Sequence, residues 1–360
     1  MPERIFNFSP GPAVLPYSVL EQAARDIVNF NNKGMGLIEM SHRSKDFMAV
    51  LDETESLIRE LLAVPANYKV LFLQGGASSQ FFMVPMNLLG PGKKASYLNT
   101  GVWAGKAIKE AKPFGQIEVS YTGEATKFRH IPTDDEYSVA ADSEYLHLCS
   151  NNTIYGTQFA QFPDKNCMLV CDMSSDIMSR PVDVSKFGIM YAGAQKNMGP
   201  AGVTLVIIRE DLLDKCPNTV PTMLRYKTHA EKGSMYNTPP TFAIYCVGLV
   251  MRWLKEQGGM TAIQRRNEEK AAIIYQAIDA NDFYRGHAEK DSRSRMNVTF
   301  NLPSAELEAR LIKEAAAVGL DGLKGHRDVG GCRASIYNAF PLNGVQKLAE
   351  FMVDFAKKNG

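Results

Sequence analysis

The sequence predicts an α/β protein: a large domain with a mostly parallel seven-stranded sheet covered by helices, plus a smaller α+β C-terminal domain. Three observations carry this. Seven short apolar runs recur between residues 70 and 208, amphipathic segments of helical length separate several of them, and the pattern changes character after "EQGGM". At 360 residues and 45% hydrophobic composition, the chain can bury a large core and forms two domains more readily than one.

The elements follow in order. "SKDFMAVLDETESLIRELLAV" places Phe47, Val50, Leu51, Thr54, Leu57, Ile58 and Leu61 at helical spacing, with Ser44 as N-cap and Pro65 just beyond the end. Strands are expected at Val70–Leu73, Ala95–Leu98, Ile117–Tyr121, Tyr145–Cys149, Met168–Asp172, Phe187–Tyr191 and Val203–Ile208. Helices built from "SSQFFMVPMNLL" and "WAGKAIKEAK" lie between the first three. Thr238, before Pro239 and Pro240, is expected to open and cap a helix through "TFAIYCVGLVMRWLKEQ". From about Met260 come a long helix, the strand "RMNVTFNL", a helix through "SAELEARLIKEAAAVGL", a hairpin-like "GLKGHRDVGGCRASIYNAF" and a last helix. The expected division is a large domain of residues 17–258 and a small domain of residues 1–16 with 259–360.

Charge and composition narrow the function. A net charge of +1 gives no electrostatic reason to expect nucleic acid or a membrane surface, so the expected partner is a small molecule. Six cysteines without a C-x-x-C pair suggest a reducing compartment, and the start "MPERIFNFSPGPAVLP" lacks an apolar signal core. The cytoplasm is the expected location. Six scattered histidines show no metal-ligand spacing, so no metal is expected.

In open α/β sheets, ligands bind beyond the carboxyl ends of the strands. Three segments fall there. "LFLQGGASSQFF" runs through Gly75 and Gly76 into a helix whose first amides, with the hydroxyls of Ser78 and Ser79, suit a phosphate. "LVCDMSSD" places Asp172 at a strand end, and "IMYAGAQKN" does the same for Gln195 and Lys196. Singly, each has an ordinary explanation: a Gly-Gly turn, a common strand-end aspartate, a solvated loop lysine. Together, a phosphate cradle, a carboxylate and an isolated lysine are what pyridoxal phosphate needs. Trp103 in "NTGVWAGKA" is placed to stack on a flat ring, or is an ordinary buried tryptophan.

With "FNFSPGPAVLP", "MSHRSKDF", "LQGGASSQF", "NTGVWAGKA", "SNNTIYGTQF", "CDMSSDIMSRPVD", "AGAQKNMGPAG", "YNTPPTFAIY" and "KGHRDVGGCRASIYNAF" in this order, the chain resembles, end to end, the class V aminotransferases of fold type I, and within them the branch that acts on phosphoserine. The resemblance implies that Lys196 bonds pyridoxal 5'-phosphate, Asp172 partners its ring nitrogen, Trp103 stacks on the ring and Thr153 touches it. It implies that Ala77, Ser78 and Gln195 hold the phosphate, with Asn237 and Thr238 reaching it from the second subunit of a homodimer with shared active sites. The implied reaction moves an amino group between glutamate and 3-phosphohydroxypyruvate, giving 2-oxoglutarate and phosphoserine for serine biosynthesis. 4-Phosphohydroxythreonine, from vitamin B6 synthesis, is a further candidate substrate.

These molecules are anionic at both ends, which calls for arginine supplemented by histidine. By resemblance, Arg333 takes the α-carboxylate, while His42, Arg43, His326 and Arg327 receive the phosphate or the distal carboxylate of glutamate. Ser9 contacts substrate or shapes a turn. Ser78 stands where some members have an arginine, which shifts phosphate binding toward the His-Arg pairs. Three alternatives remain. An alanine-glyoxylate or serine-pyruvate aminotransferase has less need for a second anion site. A cysteine desulfurase would use a mobile cysteine, for which Cys332 is near the right region. A non-catalytic ligand-binding protein would keep the fold alone.

Overall fold

The computed structural model describes residues 4–360. Its central sheet has seven strands, in the spatial order Tyr68–Leu73, Thr204–Arg209, Phe187–Gly193, Leu169–Asp172, Ser143–Cys149, Lys94–Asn99 and Gln116–Thr122. These are the seven predicted runs, each within two residues of its expected bounds. The five strands from Phe187–Gly193 to Gln116–Thr122 are mutually parallel. Thr204–Arg209 runs antiparallel to both of its neighbours. The sheet is therefore mostly parallel, as the buried, near-continuous apolar runs require.

Period-two alternation sorts the strand side chains onto two covered faces. Phe72, Leu146, Leu148, Cys171, Met190 and Leu205 point to the face packed by the helices Lys45–Leu62 and Thr241–Glu256. Leu71, Tyr145, Val170, Ile189, Tyr191 and Val206 share the opposite core with the helices Gly76–Leu88 and Val102–Ala111. The first two helices approach closely because one of them carries Gly248, where a Cβ would meet Thr54 Oγ1 at 2.4 Å.

A third core joins Phe8 and Val14 to the C-terminal region, through the helices Gly259–Asp279, Ala305–Ala317 and Leu342–Asn359. There Asn297–Asn301 pairs antiparallel with Cys332–Ser335, and Phe6–Asn7 pairs in parallel with Leu320–Asp321. The hairpin-like segment closes through an antiparallel bridge between Lys324 and Cys332.

Two local expectations met different outcomes. Ser44 does cap its helix: its Oγ accepts the Phe47 amide at 3.2 Å. Thr238 does not. That helix starts at Thr241 with Pro240 at the N-cap position, because a residue preceding proline is driven out of the helical region and two prolines follow Thr238 in succession. The helix Tyr17–Val28 was outside the sequence expectations. Its apolar residues share one half of the helix, yet only Val19 and Ala23 of them are buried, while Leu20, Ile27 and Val28 are exposed. Among the described residues, no helix is long and apolar enough to cross a membrane.

Candidate active site

The parallel arrangement sends Thr100–Trp103, Ser150–Thr153, Asp172–Ser174 and Gly193–Lys196 off the same edge of the sheet. Two successive antiparallel pairings restore Tyr68–Leu73 to that direction, so Gln74–Gly76 joins them. A cavity of about 370 Å³ opens where they meet, lined among others by Ala77, Ser78, Trp103, Thr153, Asp172, Gln195, Lys196, His326 and Arg333. A larger cleft of about 940 Å³, between the N-terminal segment and the last helix, holds none of the residues singled out from the sequence.

The turn into the helix Gly76–Leu88 is made by Gly75 and Gly76, with φ of +90° and +65°. At Gly75 a Cβ would also meet Ser79 Oγ at 2.0 Å, so both the conformation and the space demand glycine. A helix's first amides have no partner within it. Among the described residues, the Ala77 and Ser78 amides donate to no backbone acceptor outside it either. Two free N–H groups at the positive end of a helix dipole, facing a cavity, form an anion site.

Asp172 is buried, and its Oδ1 accepts the Ser174 amide at 2.9 Å and the Ser174 hydroxyl at 2.6 Å. Among the described residues its Oδ2 has no hydrogen-bond donor, leaving an acceptor on the cavity wall. Burial pushes this carboxyl above the usual carboxylate range, against the pull of the Ser174 hydrogen bonds and the Lys196 charge. Burial also pushes the Lys196 ammonium below the ordinary lysine value, opposed first by Asp172 and reinforced by repulsion from Arg333. The lysine keeps partial access to the cavity. Its Nζ lies 5.6 Å from the centre of the Trp103 ring, whose indole N–H donates to Thr153 Oγ1 at 3.2 Å. Arg333 is buried, donates from Nη1 to the Thr153 carbonyl at 2.9 Å, and has a buried Nε without a partner.

The remaining residues singled out from the sequence stand apart. Ser9 precedes Pro10 and Gly11, which line the cavity. Arg43 is exposed, and His42 keeps a buried Nε2 without a partner. Arg327 projects into solvent with its side chain 90% exposed. Asn237 lies in an adjoining cleft behind the Gly75 turn, and the Thr238 carbonyl accepts from Gln74 at 3.2 Å. Cys332 is buried and its thiol is pushed up to about 12, the reverse of what a reactive thiolate needs.

Sequence reasoning missed Ser174, whose signal was legible: a serine two residues after a strand-end aspartate commonly closes a local turn onto the carboxylate. It also missed Gly11, where a Cβ would come within 3.4 Å of Lys196 Cγ. No sequence signal links residues so far apart.

A family model for the class V aminotransferases matches residues 5–348. The chain belongs to the class V aminotransferases. A phosphoserine aminotransferase of Desulfotalea psychrophila (strain LSv54 / DSM 12343) is 67% identical over 359 residues, covering 100% of this chain and 99% of its relative. A solved structure describing radiation damage of the Schiff base in phosphoserine aminotransferase is 51% identical, with a TM-score of 0.97 and 99% of both chains covered. A phosphoserine aminotransferase from Trichomonas vaginalis, solved with PLP bound, is 40% identical with a TM-score of 0.93, covering 97% of this chain and 99% of that one. The seven-stranded sheet and its cavity are thus those of a class V aminotransferase.

Proposed function

We propose that this class V aminotransferase uses pyridoxal 5'-phosphate to move the amino group between glutamate and 3-phosphohydroxypyruvate, giving 2-oxoglutarate and phosphoserine in serine biosynthesis. The carrying observation is the meeting of Lys196, the free oxygen of Asp172, the Trp103 ring and two free helix amides in one cavity. That donor set fits the cofactor. Pyridoxal phosphate, when bound, carries the amino group and accepts the electron pair released at the substrate α-carbon.

Each residue has a task. The Ala77 and Ser78 amides, with Gln195, bind the phosphate, and Trp103 and Thr153 orient the ring. Asp172 Oδ2 holds a proton on the ring nitrogen. Lys196 Nζ anchors the cofactor and then moves the proton at the α-carbon; an amine below the ordinary lysine value is more readily the free base this requires. Arg333, with an unsatisfied buried nitrogen, receives the α-carboxylate. His42, Arg43, His326 and Arg327 bind the phosphate or distal carboxylate, with Ser9 beside them.

The same proposal makes the active unit a two-fold dimer in which Asn237 and Thr238 complete the partner's phosphate site. Their support is that they lie against Gln74, outside their own chain's cavity. The division at residues 16/17 and 258/259 is supported by the separate core that gathers Phe8 and Val14 with the C-terminal helices. Six unpaired cysteines support a cytoplasmic setting.

The test is a substrate panel of phosphoserine, 4-phosphohydroxythreonine and alanine, run on wild type, Arg43→Ala and Arg327→Ala. A charge-assisted hydrogen bond contributes about 1.5–3 kcal/mol, so kcat/KM for phosphoserine should fall roughly tenfold to somewhat over a hundredfold. Alanine, lacking a distal anion, should be almost unaffected. Equal losses for both substrates would place the phosphate site elsewhere. Wild type that prefers alanine would favour the alanine-glyoxylate type.

A further inference from the structure

After the strand Cys332–Ser335 the chain bends through Ile336–Phe340 before the helix Leu342–Asn359. Three carbonyls of this bend converge on one side chain. Lys270 Nζ donates to Ile336 O at 2.9 Å, Tyr337 O at 2.6 Å and Phe340 O at 3.3 Å. Lys270 is wholly buried, and among the described residues no carboxylate pairs with it. Burial, reinforced by Arg266, holds its ammonium well below the ordinary lysine value. A charge kept in such a place is costly, and methionine would fill similar space without that cost.

One turn earlier on the same helix face, Asn267 Nδ2 donates to Asn338 Oδ1 at 2.8 Å and to Ser179 O at 3.1 Å. The bend hands these restraints on to the active site. The Asn338 amide donates to Asn197 Oδ1 at 3.0 Å, and Asn197 is the residue after Lys196. Tyr337 Oη donates to the Pro10 carbonyl at 2.7 Å, and Pro10 lines the cavity. At its other end the same segment carries Arg333.

We propose that Lys270 and Asn267 are positioning residues: by fixing the Ile336–Phe340 bend they set the separation between Arg333 and Lys196. This rests on the reading of Arg333 as the α-carboxylate site. The α-carboxylate is bonded directly to the carbon at which Lys196 moves a proton, so the two side chains must be matched to within one bond length. A misplacement of about 1 Å costs on the order of a hundredfold in rate. The Asn338–Asn197 bond is the direct link between the Arg333 segment and the residue beside Lys196, while a longer relay through Asn297, Asn151 and Ser175 joins Ser335 to Asn197.

The experiment compares holoenzyme variants Lys270→Met, Asn267→Ala and Arg333→Ala in steady-state kinetics and in calorimetric binding of glutarate, an unreactive dicarboxylate of glutamate's length. In Lys270→Met, KM for phosphoserine, glutamate and alanine should rise together by about tenfold, since all three share the α-carboxylate, and glutarate should bind about tenfold more weakly. The ratio of phosphoserine to alanine turnover and the cofactor content should stay at wild-type values. A lower melting temperature with unchanged KM and glutarate affinity would overturn the inference and leave Lys270 a support of stability alone. If Lys270→Met does not fold, Asn267→Ala must give the same uniform rise, and its failure to do so overturns the inference equally. Arg333→Ala separates the two layers: if it leaves glutarate binding intact, the reading of Arg333 falls; if it weakens glutarate while the other variants do not, only the positioning role falls.

Discussion

Lys196 sits where burial and acidic neighbours pull in opposite directions, and burial prevails. A lysine whose folded value is depressed binds its proton less tightly in the native chain than in the unfolded one. Between that lowered value and the ordinary 10.5, the unfolded state holds the extra proton, so this residue's contribution to stability rises with pH across that window. Denaturant titrations of cofactor-free protein from about pH 8 to about pH 10 should therefore show a smaller rise for Lys196→Met than for wild type. Identical slopes would mean that the lysine is not depressed. The same variant should lose at least about a hundredfold in transamination, the low end of what a positioned general base supplies. Asp172 and Lys196 are legible in the sequence because one ends a buried strand and the other follows one by three residues, where an isolated ionisable side chain has little structural reason to be. Ser174 and Lys270 are less so. Serine after aspartate is common, and a lysine within "RRNEEKAAIIY" reads as one more solvated charge until the fold buries it.

The helix Lys45–Leu62 shows what one cap does for an element, and Ser44→Ala should cost about 1 kcal/mol of stability by leaving the Phe47 amide unpaired. Ser44→Asp, which restores an acceptor, should recover most of that loss in the same chemical denaturation assay. Equal destabilisation by both would point to packing rather than capping. At this scale the sequence is most informative where a single period dominates: all seven sheet strands and the helix from Lys45 were expected close to their true bounds. It is least informative where two rules compete. The Thr238-Pro239-Pro240 run satisfies the preference for threonine before a helix, yet the second proline delays entry to Thr241. The antiparallel direction of Thr204–Arg209 is equally hidden, because a strand buried on both faces carries the same apolar run whichever way it points.

At the scale of the whole molecule, the residues outside the cavity of their own chain are the informative ones. Asn237 and Thr238 flank Gln74 on the far side of the Gly75 turn, and His42 and Arg43 precede the first long helix without reaching the cavity lining. A shared site predicts complementation. Mixing Lys196→Ala with Thr238→Arg subunits, each inactive alone, should yield hybrid dimers with one doubly damaged site and one intact site, and so recover activity up to half the statistical fraction of hybrids. No recovery after subunit exchange has been verified by mass would assign each site to a single chain. The partition of cores is visible in the sequence as a change of pattern near residue 260, whereas the return of Phe8 and Val14 to the C-terminal core depends on contacts across nearly the whole chain.

Thr204–Arg209 turns back beside Phe187–Gly193, so Gly193 faces Thr204 and the Ala194 amide donates to the Val203 carbonyl at 3.1 Å. The stretch from 194 to 203 is thereby clamped at both ends by one pair of strands. The glycine turn after Leu73 is held by a strand at one end only, since it leads into the helix Gly76–Leu88. Lys196 has no such slack. Side chains along residues 194–203 can drift over generations while their number stays fixed, and among natural variants of this chain, insertions and deletions should collect in the other edge loops and spare this one.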